Sequence, residues 1–81
     1  MPYQLFFAKE FIEDIQKLDH SVKVQVKKLY QKIAENPFRF KPLHGNQASF
    51  RLRIGNRRLI YRVRGNEIHL MRFEKRDKAY K

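Results

Sequence analysis

Cysteine is absent from the 81-residue chain. That excludes a disulfide framework and any thiolate metal site, and it fits a reducing compartment, so the cytoplasm is the expected location. Long apolar runs are absent as well. The longest early one, Leu5-Phe6-Phe7-Ala8, is too short for a signal peptide or a membrane span. Acidic residues are scarce: eight stand against nineteen lysines and arginines, and none lies between Glu35 and Glu67. The sequence carries no carboxylate cluster for Mg²⁺, no glycine-rich phosphate loop and no serine or cysteine nucleophile elbow. His20, His44 and His69 are scattered without metal-ligand spacing, and no cofactor is expected. Without repeats, low-complexity segments or linkers, residues 1–81 are expected to form one domain, near the lower size limit for independent folding.

What the chain does have is positive charge, unevenly placed. The formal net charge is +11. Residues 1–36 carry six lysines against five acids, whereas residues 37–81 carry thirteen basic residues against three acids and hold every arginine. Lysine suits a solvated face; the planar fork of arginine suits bidentate contact with phosphate. Such a field draws polyanions and raises their rate of encounter. Nucleic acid is the first partner to consider and an acidic protein the second.

Hydrophobic periodicity sets the expected elements. Tyr3–Phe7 reads as a first strand, with Pro2 where an edge strand tolerates it. Phe7, Phe11, Ile15 and Leu18 recur at helical spacing, as do Val22, Val26, Leu29, Tyr30 and Ile33. Ser21 is the expected N-cap of the second helix, and Asn36-Pro37 stops it. So short a connection implies an antiparallel helical hairpin. Phe38–Ser49, punctuated by proline and glycine, reads as a loop with Phe38, Phe40 and Leu43 tucked beneath it. Three strands follow, Phe50–Ile54, Arg57–Arg64 and Glu67–Phe73, joined at Gly55-Asn56 and Gly65-Asn66 in a meander.

Strand parity then sorts the arginines. Phe50, Leu52, Ile54, Leu59, Tyr61 and Val63 point to one face, which the helices must cover. Arg51, Arg53, Arg58 and Arg62 share the other, with Arg57 near the turn; Glu67 and Glu74 are too few to neutralise them. Like charges facing each other destabilise a sheet, so a whole cationic face implies a use. The second helix carries a further cationic surface, Lys23, Lys27, Lys28 and Lys32. The chemistry open to such a set is attack by an RNA 2′-hydroxyl on its neighbouring phosphate. That reaction needs positive charge on the phosphoryl oxygens, in-line geometry and a proton carrier.

The order of strand, helical hairpin, meander and basic tail resembles the RelE/ParE superfamily of toxins of type II toxin–antitoxin systems, over essentially the whole chain. The most specific part is PLHGNQASFRLRIGNRRLIYRV: a leucine-x-glycine loop, an aromatic-Arg-Leu-Arg strand, a glycine turn, then arginine, two apolar residues and tyrosine. The ENP ending of the second helix is also similar. The resemblance implies an α+β fold: an N-terminal strand and an antiparallel helical hairpin packed on a mainly antiparallel sheet, completed by the C-terminal meander. RelE-like members are ribosome-dependent endoribonucleases that cut mRNA and leave a 2′,3′-cyclic phosphate; ParE-like members poison DNA gyrase.

Carried over by motif, the implied catalytic residues are Arg51, Arg53, Arg58, Arg76 and Tyr80. RNA contacts would come from Lys23, Lys27, Lys28, Lys32, Arg57, Arg62, Lys75 and Lys78. Filling of all five catalytic positions favours the RelE-like reading; a ParE-like toxin and a non-catalytic RNA- or antitoxin-binding relative are the alternatives. Arg53 stands where some relatives have lysine, Lys75 where many have histidine, and Arg57 where an aromatic is common. Arginine holds a phosphate but is a poor base, so proton transfer falls to Tyr80 or, more distantly, His69. The implied partners are an acidic antitoxin, the ribosome and mRNA, with DNA reached only through an antitoxin complex and no membrane.

Overall fold

Alternating apolar residues in the C-terminal half build the sheet on which everything else rests. The computed structural model describes residues 3–43 and 46–75. In chain order the elements are β1 (Gln4–Phe7), α1 (Lys9–Gln16), α2 (His20–Glu35), β2 (Lys41–Leu43), β3 (Asn46–Ile54), β4 (Arg57–Arg64) and β5 (Glu67–Lys75). They form an α+β fold with one five-stranded sheet ordered β1-β5-β4-β3-β2. The meander β3-β4-β5 is antiparallel, and β1 joins β5 in parallel, Gln4 opposite Glu67 through Phe7 opposite Leu70. Gly55 and Gly65 open the two hairpin turns with φ of 60° and 61°, a region that glycine enters without a Cβ penalty.

The two helices cover one face. Phe11, Leu18, Val26 and Ile33 pack against Phe50, Leu59, Tyr61, Ile68, Leu70 and Phe73, all buried. Phe7 ends β1 rather than opening α1, and joins the helical layer through Phe11 and Tyr30, ring centroids 5.9 and 5.3 Å away. The fully buried Tyr61 donates its hydroxyl to the carbonyl of Pro37, tying the exit of α2 to the centre of the sheet. Burial pushes the Tyr61 phenol well above its ordinary range.

Three local expectations are corrected. The N-cap of α2 is Asp19, in extended conformation, not Ser21; the chain needs only residues 17–19 to reverse, so the helix starts earlier. Phe38–Ser49 is not all loop: it contains β2, and β3 begins at Asn46. Pro42 pairs with Phe50 at the sheet edge, where a missing N–H costs no ladder bond. Phe38 does not tuck under; it is 55% exposed and meets the Phe50 ring edge-on at 5.5 Å, while Phe40 does pack against the core.

Strand β5 also runs further than expected, to Lys75, and contains a bulge. Tyr61 faces Leu70 but Ile60 faces Arg72, so Met71 has no partner. The extra residue shifts the parity of β5: Phe73, three residues after Leu70, lands on the buried face.

Candidate functional site

The uncovered face of the sheet is read most simply rung by rung. One rung sets Arg53 opposite Arg58, with Glu74 beyond; the next sets Arg51 opposite Ile60, with Arg72 beyond; the third runs Ser49, Arg62, His69 and Phe6 across four strands. The face is therefore an arginine floor with a carboxylate at one end and an aromatic pair at the other. Arg53 and Arg62 are exposed, Arg51 and Arg58 half-buried.

Arg58 is not free. Its Nη2 donates to Glu74 Oε2 at 3.0 Å, both side chains about a quarter to a third exposed, and its Nε is buried without a partner among the described residues. Glu74 therefore neutralises one arginine of the floor, Arg58, while the two nearby acids remain too few to neutralise the face as a whole. Position decides that pairing: the β4–β5 register puts the carboxylate directly beside Arg58. Glu67 is likewise engaged, by His69 Nε2 at 3.0 Å. Among the described residues Arg51, Arg53, Arg62 and Arg64 meet no carboxylate.

Arg57 lies elsewhere. It faces Ile54 and Lys75 on the helix-covered side, its guanidinium 5.9 Å from the centre of the Phe73 ring. Parity counted from Leu59 already assigns it there, so this position was legible in the sequence. Arg57, Arg58, Arg72, Glu74 and Lys75 line a cleft of about 640 Å³ with Asp14 of α1 and Lys17 at its C-terminal cap, at the end of β5. Lys17, Asp14 and Arg72 carry no local signal for such a role.

Asp14 holds that cleft in shape. Its carboxylate accepts from Arg72 Nε at 2.9 Å, Arg72 Nη2 at 3.2 Å and the Phe73 backbone N–H at 2.8 Å. β1 ends opposite Leu70, so beyond that point no strand among the described residues pairs with the outer edge of β5, and the Asp14 side chain accepts from the Phe73 N–H there. Burial by itself would raise the Asp14 carboxyl, but these hydrogen bonds and the charges of Arg72 and Lys17 outweigh it and hold the group below the ordinary carboxylate value.

The lysines of α2 stay apart from the floor. Lys27, Lys28 and Lys32 are exposed and Lys23 half-buried, on the helical layer opposite the open sheet face. Arg76, Lys78 and Tyr80 lie outside the described residues, as does His44. The structure thus sets Arg51, Arg53, Arg58 and Arg62 on one sheet face, apart from the α2 lysines, while Arg57 on the covered side meets only Arg58 of that set, at the cleft. His69 sits two rungs from the Arg53–Arg58 pair, away from any proton transfer there. No group of three histidine, aspartate or glutamate side chains converges among the described residues, and no described helix is long and apolar enough to cross a membrane.

Comparison with known proteins agrees with this architecture. The fold matches RelE of the Escherichia coli RelBE toxin–antitoxin complex with a TM-score of 0.81 at 24% identity, covering 90% of this chain and 95% of that one. It matches a chain of the Mycobacterium tuberculosis RelBE2 toxin–antitoxin complex with a TM-score of 0.80 at 26% identity, covering 94% and 100%. A YoeB/ParE toxin from Agrobacterium tumefaciens matches at 0.74 and 18% identity, covering 89% and 96%. No individual curated protein matches in sequence. The family model for the ParE toxin of type II toxin–antitoxin systems matches residues 5–80, and the chain therefore belongs to this toxin family, within the RelE/ParE superfamily.

Proposed function

We propose that this toxin is a ribosome-dependent mRNA endoribonuclease of the RelE type, acting in the cytoplasm. The observation that supports the reading is the in-register pair Arg53–Arg58 with Arg51 on the adjoining rung, which groups three arginines on one open face of the sheet. In the reaction the 2′-hydroxyl attacks the adjacent phosphorus. The O2′–P bond forms, the P–O5′ bond breaks, and the hydroxyl proton passes to the departing 5′-oxygen, leaving a cyclic phosphate and a 5′-hydroxyl. Arg51, Arg53 and Arg58 would hold the phosphoryl oxygens as charge builds on them. Arg76 and Tyr80 complete the set by resemblance, Tyr80 as proton carrier or stacking partner. The partner that restrains the toxin would be an acidic antitoxin neutralising the arginine floor; solved RelE structures of this fold include complexes with their antitoxins. Ribosomal RNA would meet the α2 lysines.

Primer extension on mRNA from an in vitro translation reaction tests this. The wild-type protein is expected to produce discrete cuts that depend on ribosomes. Arg53→Ala and Arg58→Ala should each lose on the order of 2–4 kcal/mol of transition-state stabilisation, roughly a hundred- to a thousandfold in rate. Undiminished cutting by both variants would sink the assignment. The match to the ParE family model supports a second reading, toxicity through DNA gyrase. A supercoiling assay with purified protein separates the two.

A further inference from the structure

The third rung of the open face does not take part in the chemistry above, yet it is built. Phe6 and His69 are partners in the β1–β5 ladder and their rings stack, centroids 5.0 Å apart and 15° from parallel. Both remain accessible: Phe6 is 40% exposed and the His69 side chain 37%. Glu67 binds His69 Nε2 and fixes the ring in that orientation. A large apolar ring left on a solvated face loses the benefit of burial, and the adjacent surface explains its use. Arg62 lies directly opposite His69, and a recess of about 350 Å³ is lined by Arg62, Arg64, His69 and the bulged Met71. Aromatic faces beside arginines are the combination that single-stranded nucleic acid recognises, bases on the rings and phosphates on the guanidinium groups, and Arg62 and Arg64 meet no carboxylate among the described residues.

We propose that the Phe6–His69 stack and the Arg62–Arg64 recess form a base-stacking subsite for single-stranded RNA, away from the scissile phosphate. The site rests on the RNA-directed reading above. Four residues of β4 separate Arg62 from Arg58, about 13 Å of strand, so the two ends of the floor hold different nucleotides of one chain. The rings recognise a π-face and no base edge, and the subsite therefore secures RNA without demanding a particular base. The charge of the floor favours a polyanion over an apolar partner.

The test uses the purified full-length toxin and short single-stranded RNAs carrying iodouridine at one position in turn, with photo-crosslinking, peptide mapping and fluorescence anisotropy. Crosslinks are expected at Phe6 or His69 from one position of the RNA. Phe6→Ala should weaken binding roughly tenfold, ~1.4 kcal/mol, without changing its salt dependence, because stacking releases no counterions. Phe6→Trp should restore affinity. Thermal melts control for folding, which the exposed Phe6 position should tolerate. If RNA binds in an Arg53-dependent manner but Phe6→Ala binds within twofold of wild type and Phe6 never crosslinks, the subsite is overturned and the RNA reading stands. If the wild-type protein binds no RNA, alone or on ribosomes, both fall. Protection of Phe6 by the antitoxin and not by RNA would also overturn the subsite.

Discussion

Glu74 holds Arg58, an arginine that the proposed reaction needs for phosphate, and this pairing sets the sign of a residue-scale prediction. A half-buried ion pair of this kind contributes about 0.5–1 kcal/mol, so a phosphate must displace a carboxylate of modest hold. Glu74→Gln keeps the shape and removes the competitor. Affinity for single-stranded RNA should rise about two- to fivefold, a gain of ~0.4–1 kcal/mol. Glu13→Gln, on the exposed surface of α1, removes the same charge elsewhere and provides the baseline in anisotropy titrations. Equal effects from the two variants would mean that Glu74 does not compete. The carboxylate was legible in the sequence only as one acid among many cations; its contact with Arg58 depends on the register of β5, which the bulge at Met71 shifts by one.

At the scale of elements, the junction of α1 with β5 depends on Asp14. It accepts from the Phe73 N–H at the β5 edge, where no described strand pairs, while anchoring Arg72. Because the native carboxyl lies below its ordinary value of 3.8, its contribution is fully present above the unfolded-state value and is lost as pH falls through the native one. Asp14→Asn should therefore cost about 1–2 kcal/mol at neutral pH, the lower part of the range for hydrogen bonds to a charged group because Arg72 is 46% exposed. The difference from wild type should shrink below pH 4. Urea unfolding at pH 7 and pH 3 measures both; a gap that does not change with pH would rule out an ionised Asp14 as the source. The helical and strand stripes that flank this junction were plain in the sequence. The junction was not, since Asp14 and Arg72 are brought together from opposite ends of the chain.

At the scale of the whole molecule, two cationic surfaces lie on opposite layers: arginines on the open sheet face and lysines on α2. A single RNA strand on the floor should release counterions in proportion to the arginines it meets, with a slope of log affinity on log salt of about −0.7 per phosphate neutralised. Anisotropy across a salt series should give a slope near −3 for about four contacts. Arg62→Ala should lower its magnitude by about 0.7, and Lys27→Ala should leave it unchanged. A larger loss from Lys27→Ala would move the free-RNA surface to the helical layer.

The sequence by itself determined the three-stranded meander, its glycine turns and the division of faces, because each follows from short-range periodicity, but not β2 or the full extent of β3 and β5. Alternation places Phe50, Leu59 and Tyr61 together, glycine turns join the hairpins, and the apolar side must be covered, which leaves Arg51, Arg53, Arg58 and Arg62 outside. Only the tertiary structure decided what those arginines meet. A bulged register brings Glu74 to Arg58, the end of the β1 pairing brings Asp14 to Phe73, and the parallel pairing of β1 with β5 stacks Phe6 on His69. These contacts join residues far apart in sequence, and no local pattern encodes which pairs will meet.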